Sequence, residues 1–62
     1  MFFYKLKNKE KEIFIKSEEV LLTKEDIRNY AVKNSIVKDD EEWNEAYLVP
    51  SSDYYEHQLS RV

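Results

Sequence analysis

Apolar and polar residues alternate imperfectly in two short stretches near the N-terminus, Phe2–Lys7 and residues 12–16. Both stretches are rich in residues that favour β-structure, and the polar residues 8–11 between them have the length of a hairpin loop. The pattern predicts a β-hairpin in which Phe3 and Phe14 share one face and could pair across the strands. The opposite, buried face is predicted to consist of Phe2, Tyr4, Leu6, Ile13 and Ile15.

Residues 23–37 carry the clearest helical signal, and its start is well marked. Thr23 has the position of an N-cap, and Asp26 follows it at the spacing of a capping box, where glutamate or glutamine is more usual. Leu22 and Ile27 occupy the two positions of a hydrophobic staple. The sequence therefore predicts a helix that begins at Thr23.

The end of this helix is less clearly marked, because its apolar residues lie on two sides. Val32 and Ile36 fall opposite Ile27. Either the helix packs on two surfaces, one of which would meet a partner or a second copy, or it ends near Asn34 and the chain then becomes extended. The face predicted to pack on the hairpin consists of Ile27, Tyr30, Ala31 and Asn34.

The C-terminal third mixes acidic and aromatic residues around a single proline. We predict a short helical turn near residues 40–44 and an extended segment at residues 46–49, because Pro50 favours an extended conformation in the residue before it. A second helix is predicted to start in the Ser-Ser-Asp sequence that follows, with Asp53 and Glu56 at capping-box spacing. Its apolar stripe would consist of Tyr55, Leu59 and Val62, and Arg61 would lie in its last turn.

These elements predict a small α+β protein of one domain: an N-terminal β-hairpin packed on a central helix, then a short acidic segment and a C-terminal helix. With 62 residues and no cysteine, the chain has no disulfide to stabilise it, so stability must come from its core and from association. It also has no glycine. Turns that need a positive φ are therefore expected to use asparagine or aspartate, and the candidates are Asn8, Asn34, Asn44, Asp39 and Asp40.

The same composition excludes several classes of function. Without glycine, the phosphate-binding loops of the Walker and Rossmann types and the EF-hand loop cannot be built. His57 is the only histidine, and neither a nucleophile elbow nor an oxyanion loop accompanies Ser51, Ser52 or Ser60. The sequence predicts a protein that is not an enzyme and that carries no cofactor and no metal site.

Nothing in the sequence indicates a membrane protein. No apolar run approaches the roughly eighteen residues of a membrane-spanning helix, and the aromatic residues precede the lysines, the reverse of the order in a signal peptide. The lack of cysteine fits a reducing compartment. We expect a cytoplasmic protein that makes no contact with membranes.

Charge is distributed unevenly along the chain. Residues 1–16 hold five lysines against two glutamates, a net charge of +3, whereas residues 38–62 hold two cations against seven acids, a net charge of −5. One end would attract anions and the other basic surfaces, and the two could also attract each other within one molecule or between two.

The acidic half is the preferred candidate for function, as the binding surface of an inhibitor or regulator. Aromatic residues are enriched at protein interfaces, and flanking acids would steer the chain to a partner with a basic surface, such as the nucleic-acid-binding face of another protein. The predicted protein-binding residues are Asp39, Asp40, Glu41, Glu42, Trp43, Glu45, Tyr47, Asp53, Tyr54 and Glu56. Trp43 could equally belong to the core.

Two alternatives remain. Lysines interleaved with aromatic rings on a strand are typical of single-strand nucleic-acid binders, and here the candidate residues are Phe3, Lys5, Lys7, Lys9, Lys11, Phe14 and Lys16. In that region Phe3 and Phe14 could instead pack under a helix. The other alternative is a self-associating structural protein, a homodimer for example. The composition, rich in Lys, Glu, Asn and Ile, resembles that of small accessory proteins of mobile genetic elements.

Overall fold

The computed structural model describes residues 1–60 as three strands and two helices. In chain order these are β1 (Phe2–Lys7), β2 (Glu12–Ser17), α1 (Lys24–Lys33), β3 (Glu45–Leu48) and α2 (Ser51–Ser60). The strands form one sheet in the order β2-β1-β3, and β1 runs antiparallel to both neighbours. The predicted α+β fold and the hairpin are confirmed. The segment predicted to be extended at residues 46–49 is the third strand, shifted by one residue.

The core lies between α1 and one face of the sheet. Tyr4, Leu6 and Ile15 are almost fully buried there and pack with Ile27 and Ala31 of the helix. Burying a leucine such as Leu6, which is 0% exposed, contributes about 1.5–3 kcal/mol. The prediction for this face is wrong for one residue, because Phe2 lies at the start of β1 and remains 36% exposed.

The other face of the sheet is covered by α2. The ring of Phe3 lies 5.1 Å from that of Tyr54, and the ring of Phe14 lies 4.5 Å from that of His57. Phe3 keeps only 8% of its exposure. The predicted pairing of Phe3 with Phe14 is wrong, because the strand register places Lys5 opposite Phe14.

The hairpin loop is held by a single side chain, that of Asn8. Its Oδ1 accepts hydrogen bonds from the backbone N–H groups of Glu10 and Lys11, at 2.8 and 2.9 Å, which is the turn that asparagine favours. Its Nδ2 donates to the backbone oxygen of Glu42, at 3.1 Å. Asn8 therefore closes the hairpin and also ties it to the acidic segment.

Helix α1 begins as predicted, but the staple does not form. Thr23 is the N-cap, and its hydroxyl accepts from the Asp26 N–H at 3.0 Å. Leu22, predicted to pack on Ile27, is 82% exposed. Leu21 packs against the core instead, because its N–H donates to the Tyr4 hydroxyl at 2.8 Å and holds this residue inward.

The helix ends near Asn34, as in the second of the two predicted alternatives, but Ile36 and Val37 form a bend and not the extended segment that this alternative predicted. Ile36 N–H donates to the Ala31 oxygen at 2.8 Å and Ser35 N–H to the Val32 oxygen at 3.1 Å, the two bonds of a Schellman motif. Ser35 has a φ of 58°. The expectation that asparagine or aspartate would take the positive φ is therefore wrong for residues 1–60.

The helical turn predicted near residues 40–44 is absent from the structure. The chain makes a single turn there, in which Glu41 N–H donates to the Lys38 oxygen at 3.2 Å, and the Glu41 carboxylate accepts from Lys38 N–H at 2.9 Å. Trp43 then enters the core and is 5% exposed. The large apolar area that this ring buries favours the conformation that brings Trp43 into the core.

Helix α2 begins within the predicted Ser-Ser-Asp sequence but packs largely through a different face. It starts at Ser51, and Asp53 lies in its first turn and is therefore not its cap. The predicted apolar stripe is wrong for Leu59, which is 74% exposed. Tyr55 is 49% exposed, although its ring lies 5.7 Å from that of Phe3, and Tyr54 and His57 face the sheet. Val62 and Arg61, the other predicted residues of this helix, lie outside the described residues.

Candidate protein-binding surface

The acidic segment is bound to the basic hairpin within the molecule. The Lys11 ammonium pairs with the Glu41 carboxylate and lies 5.6 Å from the centre of the Trp43 ring. On the other side of the segment, Arg28 donates to both the carboxylate and the backbone oxygen of Asp39, at 3.0 and 2.6 Å. The attraction between the two halves, one of the possibilities raised by the sequence, is thus partly satisfied internally.

Glu41 is the acid most affected by these contacts. The hydrogen bond from Lys11 and then that from the Lys38 backbone lower the pKa of its carboxyl below the ordinary value. Its side chain keeps 21% of its exposure. Glu41 therefore fastens the segment to the hairpin, which leaves it less available to a partner than its neighbours.

The lysines of β1 are also engaged internally. Lys5 and Lys7 lie 3.1 and 3.9 Å from the Glu12 carboxylate, and the Lys5 ammonium lies 5.4 Å from the centre of the Phe14 ring. Partial burial by itself would lower the pKa of Lys5, but the hydrogen bond and the charge of Glu12, with a smaller contribution from Tyr47, raise it above the ordinary value. Lys5 thus links β2 to β3 across β1, on the face of the sheet that α2 covers.

This arrangement bears on the residues proposed to bind nucleic acid. Base stacking requires exposed rings, but Phe3 is buried and Phe14 is half-buried beneath His57. Lys9 and Lys16 are exposed. A continuous basic and aromatic surface on the hairpin is not present in residues 1–60.

Five acids of the C-terminal half remain exposed, and within residues 1–60 none of them takes part in an ion pair. They are Asp40, Glu42, Glu45, Asp53 and Glu56. Of the predicted aromatic contacts, only Tyr47 is well exposed, at 42%; Trp43 belongs to the core and Tyr54 is half-buried on Phe3.

Three of these acids lie near the two ends of β3. Glu42 and Glu45 lie by the hairpin loop, since Asn8 Nδ2 donates to the Glu42 oxygen and Glu45 lies opposite Lys7 in the strand register. Asp53 lies in the first turn of α2, beyond the bond between Val49 and Phe3. Four residues of strand separate the two ends, or about 13 Å at roughly 3.3 Å per residue. Between them lie Tyr47 and Leu48, the latter 63% exposed.

We call this region the β3 surface and define it by Glu42, Glu45, Tyr47, Leu48 and Asp53. Leu48 is not among the residues predicted to bind, because it precedes a valine in an apolar run and carries no mark of exposure. Its exposure follows from its place on the outer strand, opposite Tyr4, where α1 does not cover it.

The described residues offer little that resembles a catalytic or metal centre. Ser60 Oγ donates to the backbone oxygen of His57 at 3.0 Å, so it contacts the main chain and not the imidazole. Residues 1–60 contain no group of three or more His, Cys, Asp or Glu side chains that could hold a metal ion. Neither α1 nor α2, with ten residues each, has the length and apolar character needed to cross a membrane.

Comparisons with protein-family models, curated proteins and solved structures gave no match.

Proposed function

We propose that this chain is a non-enzymatic protein-binding module that inhibits or regulates a partner with a basic surface, for instance a nucleic-acid-binding protein. The observation that carries this proposal is the excess of unpaired acids in the C-terminal half. Within residues 38–60, seven acids accompany one cation, Lys38. Asp39 and Glu41 pair with Arg28 and Lys11, whereas the acids of the β3 surface have no cation partner in residues 1–60.

General properties of protein interfaces support the same proposal. Unpaired acids around a small apolar centre are typical of a surface that attracts a basic partner by long-range electrostatics and then holds it by contact. Tyr47 supplies that centre on the face of β3 that also carries Glu45, since its ring is exposed and tyrosine is enriched at interfaces. Leu48 adds exposed apolar surface on the opposite face of the strand. The acids should act mainly on the rate of association, as charges at the rim of an interface do.

The test begins with affinity capture from the source cells at low and physiological salt, with and without nuclease. Association rates of the captured partner are then measured for the double variant Glu42→Gln/Glu45→Gln. The matched control is Glu18→Gln/Glu19→Gln, which removes the same number of charges beyond β2, at the other edge of the sheet.

We expect the β3-surface variant to associate more slowly and the control variant to associate at the original rate. The difference should shrink at physiological salt, where the Debye length is about 8 Å. Equal association rates for both variants would contradict the proposal. Capture that nuclease abolishes would instead favour nucleic-acid binding through the hairpin lysines.

A further inference from the structure

The outer edge of β3 has backbone groups with no partner in the sheet. In an antiparallel ladder, alternate residues direct their N–H and C=O groups to one neighbour or away from it. Val49 N–H donates to the Phe3 oxygen at 2.9 Å, so Glu45 and Tyr47 also face β1. The backbone groups of Ala46 and Leu48 therefore point outward, and within residues 1–60 no hydrogen bond to them is found besides the ladder.

The opposite edge of the sheet is protected. The bond from Asn8 N–H to the Lys11 oxygen sets the alternation in β2, so that Glu12, Phe14 and Lys16 direct their backbone groups outward. Charged residues on an edge, lysine above all, discourage pairing with another strand. His57 and Gln58 of α2 also line a groove against this edge.

We propose that β3 accepts an extended segment of the basic partner as a fourth strand of the sheet. This inference rests on the proposed function and specifies how the partner is recognised. Ala46 and Leu48 together offer two N–H donors and two C=O acceptors, which is the basis of strand addition at a sheet edge. The added strand would continue the order β2-β1-β3 on its open side.

The side chains of β3 specify the chemistry of that segment. On the α2 face, Glu45 and Tyr47 lie beside the new strand, and basic side chains there would meet the carboxylate and the ring. On the α1 face, Ala46 and Leu48 offer apolar contact. The segment should therefore alternate basic and apolar residues.

A second copy of the chain fits this edge less well. It would carry the same acids, Glu45 and Asp53, along the same strand and the following helix turn, and each copy has a net charge of −3. Edge-to-edge pairing of two copies would thus add like-charge repulsion, whereas a basic segment is complementary.

The test is an NMR titration of the full chain with the capped heptapeptide Lys-Val-Lys-Val-Lys-Val-Lys at low salt. We expect shifts and slowed hydrogen exchange at the Ala46 and Leu48 amides, and much weaker binding of the Glu-for-Lys peptide. Two further peptides carry N-methyl groups on alternate backbone nitrogens, one peptide on those of the lysines and the other on those of the valines. The peptide whose methylated nitrogens face β3 should lose affinity by about tenfold or more, as loss of hydrogen bonds implies. The peptide whose methylated nitrogens face away should bind almost as before.

Proline variants provide the same test from the protein side. Ala46→Pro removes an outward N–H of β3, and Lys16→Pro removes the equivalent group from β2. We expect only Ala46→Pro to weaken binding of the peptide. Melting temperatures would confirm that both variants are folded. Because the methylated peptides use the unaltered chain, the test does not depend on these variants folding.

The possible results separate the two proposals. Equal binding of both methylated peptides would overturn strand addition, while sensitivity of that binding to Glu42→Gln/Glu45→Gln would still support the proposed function. No preference for the basic over the acidic peptide would count against both. Protected Ala46 and Leu48 amides in a concentration-dependent dimer, before any peptide is added, would assign the edge to a second copy and overturn the basic segment.

Discussion

Replacing Ser35 by glycine should make this protein more stable, although no contact is added. Ser35 follows the C-cap of α1 with a φ of 58°, in the region where the Cβ of an L-residue crowds the backbone at a cost of about 1–2 kcal/mol. Its side chain is exposed and, within residues 1–60, makes no hydrogen bond that the substitution would lose. The two backbone bonds that close the helix do not involve the side chain.

The expected gain is smaller than that cost, because glycine also makes the unfolded chain more flexible. That effect lowers the gain in stability by roughly 0.5–1 kcal/mol, which leaves a net stabilisation of about 0.5–1 kcal/mol. In a domain of this size, 1 kcal/mol corresponds to about 4–8 °C in melting temperature. Ser35→Gly should therefore melt roughly 2–8 °C higher.

Thermal and urea unfolding followed by circular dichroism would measure this change. Ser35→Ala keeps the Cβ and should gain nothing, while Ser52→Gly makes the same substitution within helix α2, where glycine is unfavourable, and should not stabilise. A melting temperature that is unchanged or lower in Ser35→Gly, with an unchanged urea m-value, would refute the reasoning about the left-handed residue.

Two further predictions concern single contacts. Tyr4→Phe removes the hydroxyl that accepts from Leu21 N–H at 2.8 Å and leaves a partly buried donor unpaired, so urea unfolding should show a loss of about 1–3 kcal/mol; no loss would mean that water satisfies this N–H. The pKa of the Glu41 carboxyl is lower in the folded state than its ordinary value. Its pair with Lys11 therefore stabilises the fold at pH values above the ordinary pKa, and this stabilisation is lost as the pH falls below about 4.5. Melting temperatures measured across that range should depend less on pH in Glu41→Gln, whereas the neighbouring Glu42→Gln, whose carboxylate has no ion pair in residues 1–60, should keep the original profile.

Local patterns in the sequence determined the elements whose cause lies within a few residues. Alternation and β-forming residues specified the hairpin, the Thr23 hydroxyl specified the start of α1, and Pro50 placed an extended segment before it and allowed a helix after it. In each case the deciding interaction joins neighbours in the chain, such as the bond from Asp26 N–H to Thr23 Oγ1. Patterns of this kind predict the elements, whereas the pairing of β3 with β1 depends on contacts between distant parts of the chain.

Burial could not be predicted in the same way, because both faces of the sheet are covered. Phe3 is buried because α2 docks over it, whereas Phe2, at the start of β1, stays exposed. Likewise Leu21 packs inward and Leu22 does not, because the Tyr4 hydroxyl, seventeen residues away in sequence, binds the N–H of Leu21. Alternation of apolar and polar residues predicts which side chains share a face of the sheet. Only the packing of the helices decides which of those side chains are buried.

The candidate surface shows the same division. The chain itself determined how many acids the C-terminal half carries and that they outnumber its cations. Which acids stay available was decided by contacts such as that of Lys11 with Glu41 and that of Arg28 with Asp39. Those pairs join separate elements across the fold, so their formation depends on how the acidic segment packs against the hairpin and α1, which no local pattern records.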